Sequence, residues 1–170
     1  GLYMVYFKIV KGKYRGKKSI YNVIRYVLNP NKNPHNIFHA YGNTPEDIKK
    51  TADSFYKVQI AYNKTSCKRI IHCILAFSPD TKYSPDEFLN YGYRTMEFFE
   101  KGTQYVFALH EKGENGEKKW PHIHILINPI NAKTGERLSL DKAALYSLRA
   151  HIQSIFKDYT EFEYFPEEYV

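Results

Sequence analysis

Three histidines and two tyrosines carry most of the chemistry open to this sequence. The segment Trp120-Pro121-His122-Ile123-His124-Ile125-Leu126-Ile127-Asn128 has the alternation of a strand. Side chains of a strand point to opposite faces in turn, so His122, His124, Leu126 and Asn128 share one face. Ile123, Ile125 and Ile127 share the other and mark the core side. Two imidazoles two residues apart on one face can chelate one ion, and imidazole is a standard ligand for borderline divalent metals. His110 closes the preceding apolar run, and a hairpin would fold it back beside the pair. Three histidines leave coordination positions open for water or substrate oxygens, as catalytic rather than structural sites do. His72 stands alone in an apolar run and suits a buried, hydrogen-bonded core histidine as well as it suits a site.

The chain has 16 tyrosines, so position has to discriminate among them. Tyr21 and Tyr26 sit on a predicted helix whose apolar stripe is Ile20, Val23, Ile24 and Val27. At 100° per residue each lies about 110° from the stripe's centre, on opposite flanks. The helical wheel does not choose between them. Both lie in a stretch from Gly1 to His35 that holds Lys8, Lys11, Lys13, Arg15, Lys17, Lys18, Arg25 and Lys32 and no acid. Such a stretch suits a polyanion.

The elements that must position these residues follow from periodicity. Val5 to Val10 reads as a strand, and Ser19 as the cap of the Tyr21/Tyr26 helix, which stops near Asn29-Pro30. Asn29 to Asn36 reads as loop. Thr44-Pro45 opens a helix to about Tyr62. Arg69 to Phe77 is a strand, Ser84-Pro85 opens a helix to about Glu100, and Gln104 to His110 and His122 to Asn128 are strands. A charged loop, Glu111 to Trp120, joins those two. Asp141 to about Lys157 is a helix with Leu145, Leu148, Ile152, Ile155 and Phe156 buried. The expected fold class is α+β, an antiparallel central sheet flanked by helices.

Composition bounds the rest. A length of 170 residues predicts a single domain over 1–170, with an acidic tail from about 158, and Met4 reads as the natural start. With 43% hydrophobic and 16% aromatic residues the chain is not disordered. No apolar run approaches a membrane span. Two cysteines, Cys67 and Cys73, are too few for a disulfide framework or a cysteine zinc site, so a reduced cytoplasmic setting is expected. Lys plus Arg exceed Asp plus Glu by 25 to 18, a net charge of +7.

Taken together, these motifs resemble a relaxase, the mobilisation endonuclease domain of the His-hydrophobic-His nickase superfamily. The resemblance runs from about Ser19 to Phe156. Its first motif is Ile24-Arg25-Tyr26-Val27-Leu28 leading to Lys32. Its second is His72-Cys73-Ile74-Leu75-Ala76-Phe77-Ser78-Pro79. Its third and most specific is His110, then Pro121-His122-Ile123-His124 and Asn128, and Thr134 to Leu138 also suits the family. The sequence departs from the pattern at Lys112, where an acid is usual, at Ala76, where serine is common, and in a longer loop after His110.

The resemblance implies a sheet-centred palm with a metal site on one face and the tyrosine helix alongside. It implies Tyr26 as nucleophile and His110, His122 and His124 as ligands of one divalent ion, manganese or magnesium foremost, with zinc, nickel or cobalt as alternatives. His72, Asn128 and Glu111 are candidates for orienting those ligands. The reaction implied is site- and strand-specific nicking and rejoining at a transfer origin in a bacterial cytoplasm, through a 5′-phosphotyrosine. Single-stranded or hairpin DNA is the partner, with accessory DNA-processing and coupling proteins. Lys13, Arg15, Lys17, Lys18, Arg25 and Lys32 would hold the backbone in a salt-dependent manner, and Trp120 would stack on a base or pack on its own loop. Two alternatives are a rolling-circle replication initiator using Tyr146 and a non-catalytic DNA-binding module.

Overall fold

The computed structural model describes residues 5–10, 12–28, 38–41, 48–112, 118–156 and 162–164, with backbone alone at 38–41, 112, 118–119 and 162–164. The elements in chain order are β1 (Val5–Ile9), α1 (Lys17–Val27), β2 (Phe38–Tyr41), α2 (Ile48–Ala61) and β3 (Ile71–Phe77). They continue with α3 (Pro85–Met96), β4 (Tyr105–Lys112), β5 (Lys118–Ile127), α4 (Lys142–Ile155) and β6 (Phe162–Tyr164). The strands form one sheet in the order β2-β4-β5-β3-β1-β6. Every pairing is antiparallel except that of β1 with β6 at the edge. The fold is α+β, an antiparallel sheet with helices on both faces. No described helix is long and apolar enough to cross a membrane.

Both faces of the sheet are buried, by different helices. Ile123, Ile125 and Ile127 join Phe7, Leu75, Phe77 and Phe107 in one core, closed by α3 and α4 through Phe88, Tyr91, Leu148 and Ile152. Phe77 is its hub, with ring centroids 5.0 Å from Phe88 and 5.8 Å from Phe156. Contacts of this kind are worth about 0.5–1.5 kcal/mol each beyond the area they bury. The second core lies on the histidine face. There Ile20, Ile24 and Val27 of α1 and Ala52 and Phe55 of α2 cover Val106, Ala108 and Leu126. Leu126, expected on the side away from the core, is therefore buried as well.

The helices begin where local chemistry supports them, with one exception. Ser84 Oγ accepts from Glu87 N, and Glu87 accepts from Ser84 N, which closes a capping box at α3. Asp141 Oδ1 accepts from Ala144 N at α4. The start of α1 falls at Lys17 rather than Ser19, behind Gly16 and with no side-chain cap. Lys17 and Lys18 oppose the positive end of the helix dipole, so burial of Ile20, Ile24 and Val27 holds this helix rather than its ends.

Other limits shift too. β3 begins at Ile71 rather than Arg69, whose backbone N–H bonds Tyr14 O instead of a neighbouring strand. α3 stops at Met96 rather than Glu100, because Phe98 and Phe99 turn back onto the first core. The β4–β5 hairpin runs to Lys112 and resumes at Lys118, so pairing invades much of the segment expected as loop. β2 and β6, four and three residues long, lie in segments not expected to form strands. The expected start of α2 at Thr44-Pro45 lies outside the described residues.

Candidate metal centre

Strand register builds the histidine cluster. His122 pairs with His110 across β5 and β4, and His124 pairs with Ala108 one row further on. Alternation puts all three imidazoles on the face that α1 and α2 partly cover. Their ring centroids are 4.5 Å apart for His110 and His124, 4.9 Å for His122 and His124, and 5.4 Å for His110 and His122. One nitrogen from each lies within 4.8 Å of the others. His110 and His124 are buried and His122 is half-buried.

Each ring is oriented from behind. His110 Nε2 lies 2.8 Å from Val27 O, and His122 Nδ1 lies 2.8 Å from Trp120 O. A carbonyl only accepts, so each of these nitrogens carries the proton and the other nitrogen of the neutral ring keeps its lone pair. His124 Nδ1 lies 2.7 Å from His72 Nε2, which leaves Nε2 of His124 for ligation. His72 is 5% exposed, and its pKa is lowered to about 4 by burial, then by Lys8, His110, Lys68 and His122. It is neutral at ordinary pH. If His124 donates its Nδ1 proton, the His72 proton moves to Nδ1, the one buried side-chain polar atom without a partner among the described residues. Neutral nitrogen donors, each with its far nitrogen engaged, fit a divalent ion that favours imidazole.

The two helix tyrosines part company here. Tyr26 is 44% exposed and its ring stands edge-on to His124, at 87° and 6.4 Å between centroids. Tyr21 faces α2 and donates to Asp53 Oδ1. Its hydroxyl is pushed up to about 12 by burial and by that carboxylate. Tyr146 is exposed on α4, which packs on the isoleucine face, so the sheet lies between it and the histidines.

Of the residues expected to meet DNA, Lys13, Arg15, Lys17, Lys18 and Arg25 are exposed along the turn and helix that lead to Tyr26. Lys17 Nζ sits 4.4 Å above the Tyr56 ring. Lys32 lies outside the described residues. Trp120 is half-buried against Tyr6, with ring centroids 4.7 Å apart and planes at 59°. Glu111 follows His110 at an irregularity in the ladder. Asn128, a candidate for orienting the ligands, does not reach them. Its amide donates to Phe55 O and Gln104 Oε1 and accepts from Gln59 and Ile130 N, which ties β5 to α2. It lies four residues beyond His124, where α2 covers the sheet.

From the sequence, Tyr6 has no role, and Lys8, Ile74 and Ala76 have no place beside the histidines. Register puts Tyr6 and Ala76 in the row of His122 and His110, and Lys8 and Ile74 in the row of His124. The signal was the alternation of Val5-Tyr6-Phe7-Lys8-Ile9, whose polar positions had to face the histidine side.

A family model described as Relaxase: MobA/VirD2-like, nuclease domain matches residues 26–160. A search of curated proteins returns no match.

Proposed function

The chain belongs to the relaxase family, as a MobA/VirD2-like nuclease domain, and we propose that it nicks and rejoins one strand of DNA at a transfer origin through Tyr26. Membership makes the domain a DNA-nicking endonuclease of mobilisation. The reading of its chemistry rests on one observation: three histidine nitrogens within 4.8 Å of one another, with the Tyr26 ring edge-on to His124 at 6.4 Å.

A divalent ion held by His110, His122 and His124 would supply Lewis-acid stabilisation of the phosphate oxygens worth several kcal/mol. The chain's own groups do the remainder. Exposed Lys13, Arg15, Lys17, Lys18 and Arg25 hold the backbone of the DNA. The Tyr26 hydroxyl gives up its proton and its oxygen attacks phosphorus. The bond from phosphorus to the 3′ oxygen breaks, and that oxygen takes a proton. The 5′ phosphate stays on Tyr26 as a diester. One phosphodiester replaces another, so attack by the 3′-hydroxyl runs the step backwards and rejoins the strand. The Val27 and Trp120 carbonyls and His72 keep the three imidazoles in the required tautomers throughout.

The test is a covalent-adduct assay on single-stranded origin DNA with Mn²⁺. Wild type is expected to form a protein–DNA adduct whose labelled peptide contains Tyr26. Tyr26→Phe is expected to bind DNA and form none. An adduct that persists in Tyr26→Phe, or that maps to Tyr21 or Tyr146, refutes the assignment.

A further inference from the structure

The histidine face continues past the metal cluster onto β3 and β1, where α1 and α2 no longer cover it. Tyr6, Ile74, Ala76 and Trp120 are all half-buried there, and Lys8 is exposed. Tyr6 and Trp120 stand on strands that flank β3 on either side, because Tyr6 pairs with Ala76 and Ala76 pairs with His122, two residues from Trp120. Backbones two strands apart are separated by about 10 Å. The two rings nonetheless approach to 4.7 Å between centroids, so both lean over β3. Ala76 is the residue between them. Its methyl group leaves room for the rings to meet, and a longer side chain there would hold them apart.

We propose that Tyr6 and Trp120, bridging over Ala76, form a stacking ledge for the unpaired nucleobase next to the phosphate at the histidine cluster. Three features favour a base as the occupant. The ledge is aromatic and continuous with the cluster through the row Tyr6-Ala76-His122-His110. The cation beside it, Lys8, lies one row away on the same face, where a phosphate of the same strand would run. A base paired within a duplex has its faces covered by its neighbours, so the ledge also selects single-stranded over duplex DNA. Aromatic stacking tolerates any base, so the ledge reads strandedness rather than sequence. The proposal rests on the nuclease reading for where the phosphate lies, but its test needs no cleavage.

Trp120 is the chain's one tryptophan, so its fluorescence, excited where tyrosine does not absorb, reports on the ledge alone. The probes are a labelled single-stranded thymidine 20-mer, its duplex with the complementary strand, and a 20-mer of the same charge made of abasic residues. The thymidine strand is expected to quench Trp120 to saturation. The abasic strand, held by the basic residues only, is expected to bind about 5- to 150-fold more weakly by anisotropy and to leave the fluorescence unchanged. Tyr6→Ala and Ala76→Leu are expected to lower thymidine-strand affinity toward the abasic value while Mn²⁺ affinity stays unchanged. Trp120→Phe is expected to retain most affinity and Trp120→Ala to lose it. Equal affinity for thymidine and abasic strands, or strand binding without quenching, overturns the ledge and leaves the nuclease reading intact. Quenching in a protein that never forms a Tyr26 adduct does the converse.

Discussion

Replacing His72 by phenylalanine tests whether a histidine that touches no ion governs how tightly one is held. Phenylalanine fills the site with a somewhat larger ring and removes both nitrogens, so the bond to His124 Nδ1 is lost without opening a cavity. The orphaned His72 Nδ1 disappears with it, and a buried unsatisfied group of that kind costs about 1–3 kcal/mol. The metal-free variant gains by losing that group and loses by the larger ring and by the partner taken from His124, so its stability is expected to stay within about 1–3 kcal/mol of wild type. Metal affinity falls. Partners that orient a ligating histidine contribute about 10- to 100-fold to affinity. With Mn²⁺ at about 100 times the wild-type dissociation constant, binding stabilises the wild-type fold by about 2.7 kcal/mol. A 30-fold weaker variant at the same concentration keeps about 0.9 kcal/mol. For a chain of this size 1 kcal/mol moves Tm by about 2–4 °C, so the metal-induced rise falls from about 5–11 °C to about 2–4 °C. Thermal scans with and without Mn²⁺, backed by calorimetric titration, measure both quantities. An undiminished metal-induced rise in His72→Phe would refute the claim that His72 orients His124.

Two further outcomes follow from the same geometry. In metal-free protein the folded pKa of His72 is lowered from 6.5 to about 4, so the unfolded chain binds the extra proton first. Stability is then full above about pH 6.5 and declines as pH falls toward 4, by about 3 kcal/mol at most; urea melts across that window should show the slope, and His72→Phe should flatten it. Gly135 has a φ of 72°, and a Cβ there would collide with the Tyr62 ring, whose hydroxyl donates to the Ala132 and Lys133 carbonyls. Gly135→Ala is expected to cost about 1–3 kcal/mol in urea denaturation with Mn²⁺ affinity unchanged, and a loss below about 0.5 kcal/mol would contradict the clash.

What the sequence disclosed about this fold follows the range of each interaction. Alternation is local, so His122, His124 and the isoleucine face were legible, and His110 followed from one hairpin. The α3 and α4 starts were legible because Ser84-Pro85 and Asp141 act within three residues. The two tyrosines of α1 were not separable on the helix alone, because what distinguishes them is Asp53 on another helix, 32 residues away. His72 stayed ambiguous for a similar reason. It meets His124 only because β3 and β5 align Ile74 with His124, which makes the two histidines diagonal neighbours. Asn128 carries the family's motif position, but its side-chain partners come from α2, from Gln104 just ahead of β4 and from Ile130, which no motif encodes. β2 and β6 are short edge strands whose pairing comes from their neighbours rather than from their own periodicity.

The bond from His110 Nε2 to Val27 O ties the histidine cluster directly to a helix that already packs on the same two strands. Val27 is the last residue of the helix that carries Tyr26, and its carbonyl is among those that helical pairing leaves open. By thermodynamic reciprocity, whatever tightens the grip of His110 on an ion must to the same degree favour the docked position of that helix, and the reverse holds equally. An unfilled histidine cluster would thus seat the Tyr26 helix more loosely, and a load on that helix would be felt at the cluster.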